Sequence, residues 1–365
     1  MTQSFFLDAT GPLPERDTPW EPVVITGEQI AAEIARLSDL PCPANGRRRS
    51  YIRHPSNRRS NGLAPGIEVA LDVLLPGEET VIFRQNSTQV NFVIRGRGEG
   101  EIDGRRFSTD LHDVWNTPSM RIYRHRNTGT VPYVRLTYSN GALLDMMNVH
   151  VIEENPAPVI RAVKDEAAHD PAEAARRSSP FGTFQLNDGG AWMMPYERLI
   201  NPPSVVSPAL FWPWQEVKQH LDKLEALGKD YIGRRLYLLY NPMTGRANGT
   251  TPNFFATMTV RPPKIVDRPH RHSSAAVNYY FSGSGRSTVE GKVYEWKAGD
   301  LMLSAPGWAT HNHASYDEPV YELTIQDQPL NIMMESLLWQ ESLKEPPALL
   351  GTEAGFETNR TAASA

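Results

Sequence analysis

The chain has one cysteine, no long apolar run and no extended block of a single charge. The lone cysteine, Cys42, excludes an internal disulfide framework and any cysteine-based zinc site. No apolar stretch approaches the roughly 20 residues that a membrane-spanning helix needs. The N-terminus lacks the basic start, apolar stretch and small-residue cleavage site of a secretion signal, so a cytoplasmic location is expected. Lysine and arginine total 37 against 42 aspartate and glutamate, a formal charge of −5, which gives no reason to expect a nucleic-acid partner. The local exception is Arg47-Arg48-Arg49, followed by Arg53, Arg58 and Arg59, which reads as a solvated loop or an arm between subunits.

What is present favours turns and strands. The 365 residues are 40% hydrophobic and 22% charged, enough apolar material for a packed core. Thirty prolines and 26 glycines punctuate many short alternating runs, so a mostly β fold is expected. Residues 1–60 read as an irregular arm around one helix, Thr26 to Leu40, with Ile30, Ile34 and Leu37 on one face. Residues 61–155 read as a first strand domain, with runs at 67–71, 90–94 and 134–138. Residues 156–230 read as a linker with a charged surface helix over 162–177 and a second helix, Trp214 to Leu227, opened by Pro213. A second strand domain is expected over 231–331. A C-terminal helix, Ile332 to Leu343, and a frayed tail over 352–365 complete the expectation.

The two strand domains repeat one another. Val90-Asn91-Phe92-Val93-Ile94-Arg95-Gly96-Arg97-Gly98 lies on Val277-Asn278-Tyr279-Tyr280-Phe281-Ser282-Gly283-Ser284-Gly285 at an offset of 187. Gly104 falls on Gly291 at that offset, and one gap later Pro118 falls on Pro306 and His125 on His313. A repeat of this length points to two copies of one barrel-like domain.

The second copy carries Pro269-His270-Arg271-His272 and, about forty residues on, Trp308-Ala309-Thr310-His311-Asn312-His313. On a strand, i and i+2 point to one face, so His270 and His272 can share a metal with His311 brought in by a strand return. Three neutral imidazoles suit Fe(II), Mn, Ni, Cu or Zn and not Mg or Ca. Such a set also leaves coordination positions open, unlike a closed structural zinc site. The first copy has Phe83, Gln85 and Tyr123 in these places, so it is expected to be metal-free and structural. His313 is open to three readings: a ligand competing with His311, a group that hydrogen-bonds substrate or moves a proton, or a packing residue as His125 would be.

These motifs, with Arg268 ahead of the first pair and Asn241-Pro242-Met243-Thr244-Gly245, resemble the bicupin gentisate, salicylate and 1-hydroxy-2-naphthoate dioxygenases. The resemblance covers about Arg47 to Glu341, most clearly Arg234 to Pro329. It implies two cupin barrels of the jelly-roll type with short flanking helices. It further implies Fe(II) held by His270, His272 and His311, ring cleavage of a hydroxylated aromatic carboxylic acid with both atoms of O2 inserted, and a homotetramer.

His313 matches a family position implicated in substrate contact, and Asp327 resembles an acidic pocket residue, with a strand-end turn as its other reading. Trp308 is a candidate for the aromatic wall. Three departures stand out. Many cupins place a glutamate ligand where this chain has Val277. The family more often carries its iron in the first barrel. An arginine that anchors substrate carboxylate is replaced by Asn278, so Arg234 or Arg235 becomes a candidate for that task. Two other classes use the same barrel: a non-oxidative isomerase or lyase acting on a small hydroxy or keto acid, and a binding or storage protein without catalysis.

Overall fold

The computed structural model describes residues 10–12, 20–157, 184–185, 191–195, 207–227 and 235–349. The chain divides into two units, 1–155 together with 208–365, and 156–207. Both barrels belong to the first. In the second, Phe184–Gln185 pairs antiparallel with Trp192–Met193.

The first barrel opposes two antiparallel sheets. One runs Phe211–Trp212, Val114–Thr117, Gln89–Arg95, Tyr133–Ser139, Ile67–Leu74 and Arg48–Tyr51. The other runs Ile152–Glu154, Phe83–Gln85, Tyr123–Asn127, Gly98–Ile102 and Arg105–Thr109. The second barrel repeats the plan. Its larger sheet runs Val23–Ile25, Leu301–Ala305, Ala276–Ser282, Val320–Gln326, Phe255–Arg261 and Leu236–Leu238. Facing it are Lys292–Lys297, Ser284–Val289 and His311–Ser315, and beside them Arg271–His272, Leu338–Gln340 and Ala348–Leu349.

Alternation along the strands separates two kinds of interior. Odd and even positions face opposite sides, and one side is apolar throughout. Val69, Leu71, Phe92, Leu136, Val260, Val277, Tyr279, Leu303 and Leu323 form one buried cluster shared by both barrels. Phe92 meets Tyr279 across it at 5.7 Å between ring centroids. The alternate positions line the barrels and are largely polar. Asp72, Asn91, Arg135 and Thr137 line the first; Thr257, Asn278, Ser304, Glu322 and Thr324 line the second, and all are buried. The two sheets are therefore glued by hydrocarbon on one face and leave the other for chemistry.

The repeat extends into the turns. Gly96 and Gly283 have φ of 72° and 74°, and a Cβ there would lie 2.5 Å from Pro132 O or 2.6 Å from Pro319 O. Only glycine fits such a turn without strain.

Among the described residues, four α-helices decorate the barrels. Helix α1 (Gly27–Asp39) starts on Thr26, whose side chain and that of Gln29 form a reciprocal capping box, and it buries Ile30, Ile34 and Leu37 as expected. Helix α2 (Gly141–Met146) follows the last strand of the first barrel's larger sheet. Helix α3 (Trp214–Glu225) begins after Pro213 and buries Trp214 and Leu221. Helix α4 (Gln328–Met333) occupies in the second barrel the place of α2 in the first.

Several expectations need correction. The helix expected over 332–343 is the last turn of α4 and then a strand, Leu338–Gln340, the counterpart of Ile152–Glu154. The apolar spacing of Met333, Leu337 and Leu338 fits both periods, and strand pairing decides it. The N-terminal arm is not irregular outside α1: Val23–Ile25 pairs with Leu301–Leu303 in the second barrel, and Arg48–Tyr51 with Ala70–Val73 in the first. The arginine cluster accordingly divides: Arg53, Arg58 and Arg59 are exposed between strands as a solvated loop would be, whereas Arg48 and Arg49 are tied down. Arg48 bonds Leu40 O and Glu78, and Arg49 makes a two-pronged pair with Asp72 at 2.7 and 2.8 Å. The helix expected over 162–177 and the tail over 352–365 lie outside the described residues.

Candidate metal centre and its surroundings

The bridge between His270 and His311 brings two histidines opposite each other, and the strand Arg271–His272 delivers the third. Ligating atoms of His270, His272 and His311 all lie within 4.8 Å of one another. The three are 5%, 1% and 2% exposed, so an ion between them is shielded from solvent.

Their hydrogen bonds set the chemistry of the donor atoms. His270 Nδ1 lies 3.1 Å from Arg268 O, His272 Nδ1 2.8 Å from Ser274 O, and His311 Nδ1 2.9 Å from Ala309 O. A carbonyl only accepts, so each Nδ1 carries the proton and each Nε2 is the lone-pair nitrogen. Three neutral imidazoles held in the ligating tautomer by their outer partners fit a divalent transition metal. Ser274 adds a second support to His272, with Oγ 3.0 Å from Nδ1 and donating to Gln326 Oε1 at 3.2 Å.

An aromatic wall closes one side, and it is Trp339. Its ring stacks on His272 at 4.8 Å and 28° and on His270 at 5.6 Å and 23°, and its Nε1 donates to Glu341 at 2.7 Å. The strand pairing His272↔Trp339 sets this position. The apolar spacing of 332–343 gives no sign of Trp339's place, because a helix over that segment would not set it beside His272. The offset of 187 could have found it, since it places Trp339 on Ile152, which pairs with Gln85 in the first barrel. Trp308, the candidate chosen from sequence, is half-buried and lies over the Arg271 guanidinium at 4.6 Å. Arg271 sits between the two strand histidines, and alternation sends it to the opposite face.

His313 is 8% exposed and stands apart from the triad, its ring 5.7 Å from that of His311. Its Nδ1 meets Ser287 Oγ at 2.7 Å, and Ser287 accepts from Trp296 Nε1 at 2.9 Å. The counterpart His125 faces Gly100 in the register of its strand, where His313 faces Ser287. The hydroxyl partner therefore accompanies the histidine only in the barrel that has the triad.

The remaining candidates fall into fold roles that the first barrel duplicates. Asn278 Nδ2 donates to Thr324 at 2.8 Å, and its Oδ1 accepts from Ser304. Asn91 does the same with Thr117 and Thr137, at 3.3 and 3.0 Å. Asp327 accepts from Ala275 N at 2.8 Å, as Asn140 accepts from Thr88 N at 2.8 Å. Burial pushes the Asp327 acid up to about 6. A Cβ on Gly66 would lie 2.8 Å from its Oδ2, which sets this carboxyl against a loop of the first barrel. Arg235 does not face the triad: it is buried, and its Nε donates to Leu224 O of α3 at 3.1 Å. Arg234 lies outside the described residues.

In the first barrel the triad positions are occupied by Phe83, Gln85 and Tyr123. Tyr123 pairs with Phe83 in register as His311 does with His270, and Tyr123 OH donates to Gln85 Oε1 at 2.8 Å. A hydrogen bond between side chains takes the place of shared coordination.

Fold and site together define a two-barrel cupin with one three-histidine cluster able to hold a metal among the described residues, in its second barrel. A family model described as an AraC-like ligand binding domain matches residues 256–358. The 5-aminosalicylate 1,2-dioxygenase of Comamonas sp is 24% identical over 306 residues, covering 81% of this chain and 75% of that protein. The 1-hydroxy-2-naphthoate 1,2-dioxygenase of Nocardioides sp. (strain KP7) is 26% identical over 329 residues, covering 88% and 77%. The salicylate 1,2-dioxygenase structure from Pseudaminobacter salicylatoxidans superposes with a TM-score of 0.71 at 16% identity, covering 92% of this chain and 91% of that one. The chain is thus homologous to the bicupin ring-cleaving 1,2-dioxygenases.

Proposed function

We propose that the protein is an Fe(II)-dependent ring-cleaving dioxygenase acting on an ortho-hydroxylated aromatic carboxylic acid of the salicylate, gentisate or hydroxynaphthoate kind. The observation that carries this reading is the buried cluster of His270, His272 and His311, each with Nδ1 bonded to a carbonyl and Nε2 left to coordinate. Held by these three residues, Fe(II) would supply Lewis-acid binding of the substrate's phenolate and carboxylate and one-electron exchange with O2. Opening the ring breaks one carbon–carbon bond, and both oxygen atoms end in the product.

The residues of the chain do the rest. Trp339 covers two imidazoles, fixes their planes and keeps water from that side. His313, oriented by Ser287, is placed to hydrogen-bond a substrate oxygen or move a proton at Nε2. With Asn278 tied to Ser304 and Thr324, its amide is not offered to substrate, and a cation held by the triad would be the main anchor for the carboxylate. A cytoplasmic location and a homotetrameric assembly belong to the same proposal. They are supported by the absence, among the described residues, of a helix long and apolar enough to cross a membrane, and by the resemblance respectively.

Oxygen uptake by the Fe(II)-reconstituted protein tests this across salicylate, gentisate, 1-hydroxy-2-naphthoate and 5-aminosalicylate. Uptake stoichiometric with loss of the aromatic absorbance is expected with at least one of them. No uptake with any, at full iron content, would move the assignment to the non-oxidative class, in which the same metal polarises a carbonyl.

A further inference from the structure

Four buried polar atoms on the strands of the first barrel, which has no triad, lack a hydrogen-bond partner among the described residues: Tyr138 OH lies in the apolar cluster shared with the second barrel, and Trp115 Nε1, His125 Nε2 and Arg135 Nε lie on the interior side. The side chains of the last three are 1%, 3% and 3% exposed. All three point into the same barrel. Trp115 belongs to its interior apolar cluster, and His125 and Arg135 alternate with Tyr123 and Tyr133 of that cluster. They also converge: the rings of Trp115 and His125 are 5.8 Å apart, and Arg135 Cζ lies 6.0 Å from the Trp115 ring and 5.6 Å from that of Tyr133. The other nitrogens of Arg135 are engaged, with Nη1 donating to Asn91 at 3.1 Å and Nη2 4.0 Å from Asp72.

Charge accompanies this geometry. Asp72 is already paired in two-pronged fashion with Arg49 and accepts from Thr137 at 2.8 Å. Arg47 stands over Phe83 at 5.5 Å, and Glu68 accepts from Ser139 at 2.9 Å. Three guanidiniums thus face two carboxylates. A buried guanidinium left without a counter-charge is costly, and two of the three interior orphan atoms, Trp115 Nε1 and Arg135 Nε, only ever donate. Burial holds His125 neutral, able to present a third N–H.

We propose that the interior of the first barrel is a binding site for a small monovalent anion of halide size, held by Arg135 Nε, Trp115 Nε1 and His125 Nε2. The site is independent of the metal centre and of the reaction assigned to it. In the second barrel the corresponding positions are Met302, His313 and Glu322, so one metal-binding and one anion-binding interior are built on the same strands.

The test measures the melting temperature of the full chain against sodium chloride, with sodium gluconate keeping ionic strength constant. Crystals grown in bromide are then examined for anomalous scattering. A saturable rise in melting temperature and a bromide peak between the three nitrogens are expected. Arg135→Gln should abolish both. Trp115→Phe, which keeps the charge and removes one donor, should raise the chloride midpoint about tenfold and keeps the test open if the arginine variant does not fold. A water molecule at that point without anomalous signal, or equal stabilisation by gluconate, overturns the proposal.

Discussion

The two barrels share strands, turns and even the hydrogen bonds of Asn91 and Asn278, yet their interiors do opposite things. The second collects three imidazoles on carbonyl-bonded Nδ1 atoms. The first fills the same volume with a tyrosine–glutamine bond and an arginine–aspartate network. The comparison separates residues that serve the fold from residues that serve chemistry. What both barrels keep is framework, and what only the second has is the candidate site. By that criterion Trp339 and Ser287 join the site, while Asn278 and Asp327 join the framework.

The largest expected break is at the triad. His272→Ala should reduce metal content from about one ion per chain to under a tenth and abolish activity, because two imidazoles do not hold an exchangeable divalent ion tightly. Gln85→Ala, at the corresponding place, should leave metal content unchanged. Equal loss in both, measured by elemental analysis, would mean that the barrels are not divided as described.

Next in size is the buried pair of the first barrel. Asp72→Ala leaves Arg49 and Arg135 without their carboxylate and should cost on the order of 3–5 kcal/mol in denaturant unfolding. Its counterpart Thr259→Ala removes a neutral hydroxyl and should cost about 1 kcal/mol. Similar losses in the two would refute the difference in interior charge.

Trp339→Ala should weaken metal affinity or turnover by roughly 10–100-fold, as for other residues that orient ligands. Ile152→Ala at the equivalent strand position should leave metal affinity unaltered. A competitive chelator titration reads both.

The smallest effect is expected for Asp327→Asn. Asn140 performs the same backbone capping in the first barrel, so turnover should stay within about threefold of the parent, and a loss beyond about 100-fold would restore a catalytic role to Asp327. The pH dependence is more telling. An acid whose folded value is raised to about 6 binds a proton more tightly when folded. Its stabilising contribution is full below the unfolded value near 4 and is lost as pH rises through 6. The parent should therefore lose stability relative to the asparagine variant between pH 4 and 7. Parallel curves would show that the carboxyl is not raised.

Much of this was legible in the sequence because period and offset are local quantities. His270, His272 and His311 were readable from strand alternation, and their replacement in the first barrel by Phe83, Gln85 and Tyr123 from the offset. Helix α1 was readable from the spacing of Ile30, Ile34 and Leu37. What failed depended on partners far along the chain. Leu338–Gln340 is a strand because Arg271–His272 is there to pair with it, and nothing within the segment says so. Arg49 reads as surface until Asp72 is seen beneath it. Arg235 could be placed only once α3 was seen to offer it the Leu224 carbonyl.

The pairing of Val24 with Met302 has a bearing on how the molecule comes into being. An edge strand of the larger sheet of the second barrel is made well before the neighbour it pairs with. Completion of that sheet must wait until Leu301–Leu303 has been made, so slow maturation is the expected behaviour for such distant pairing. A protease nick ahead of α1 would then expose an unpaired strand edge on the second barrel and invite self-association there.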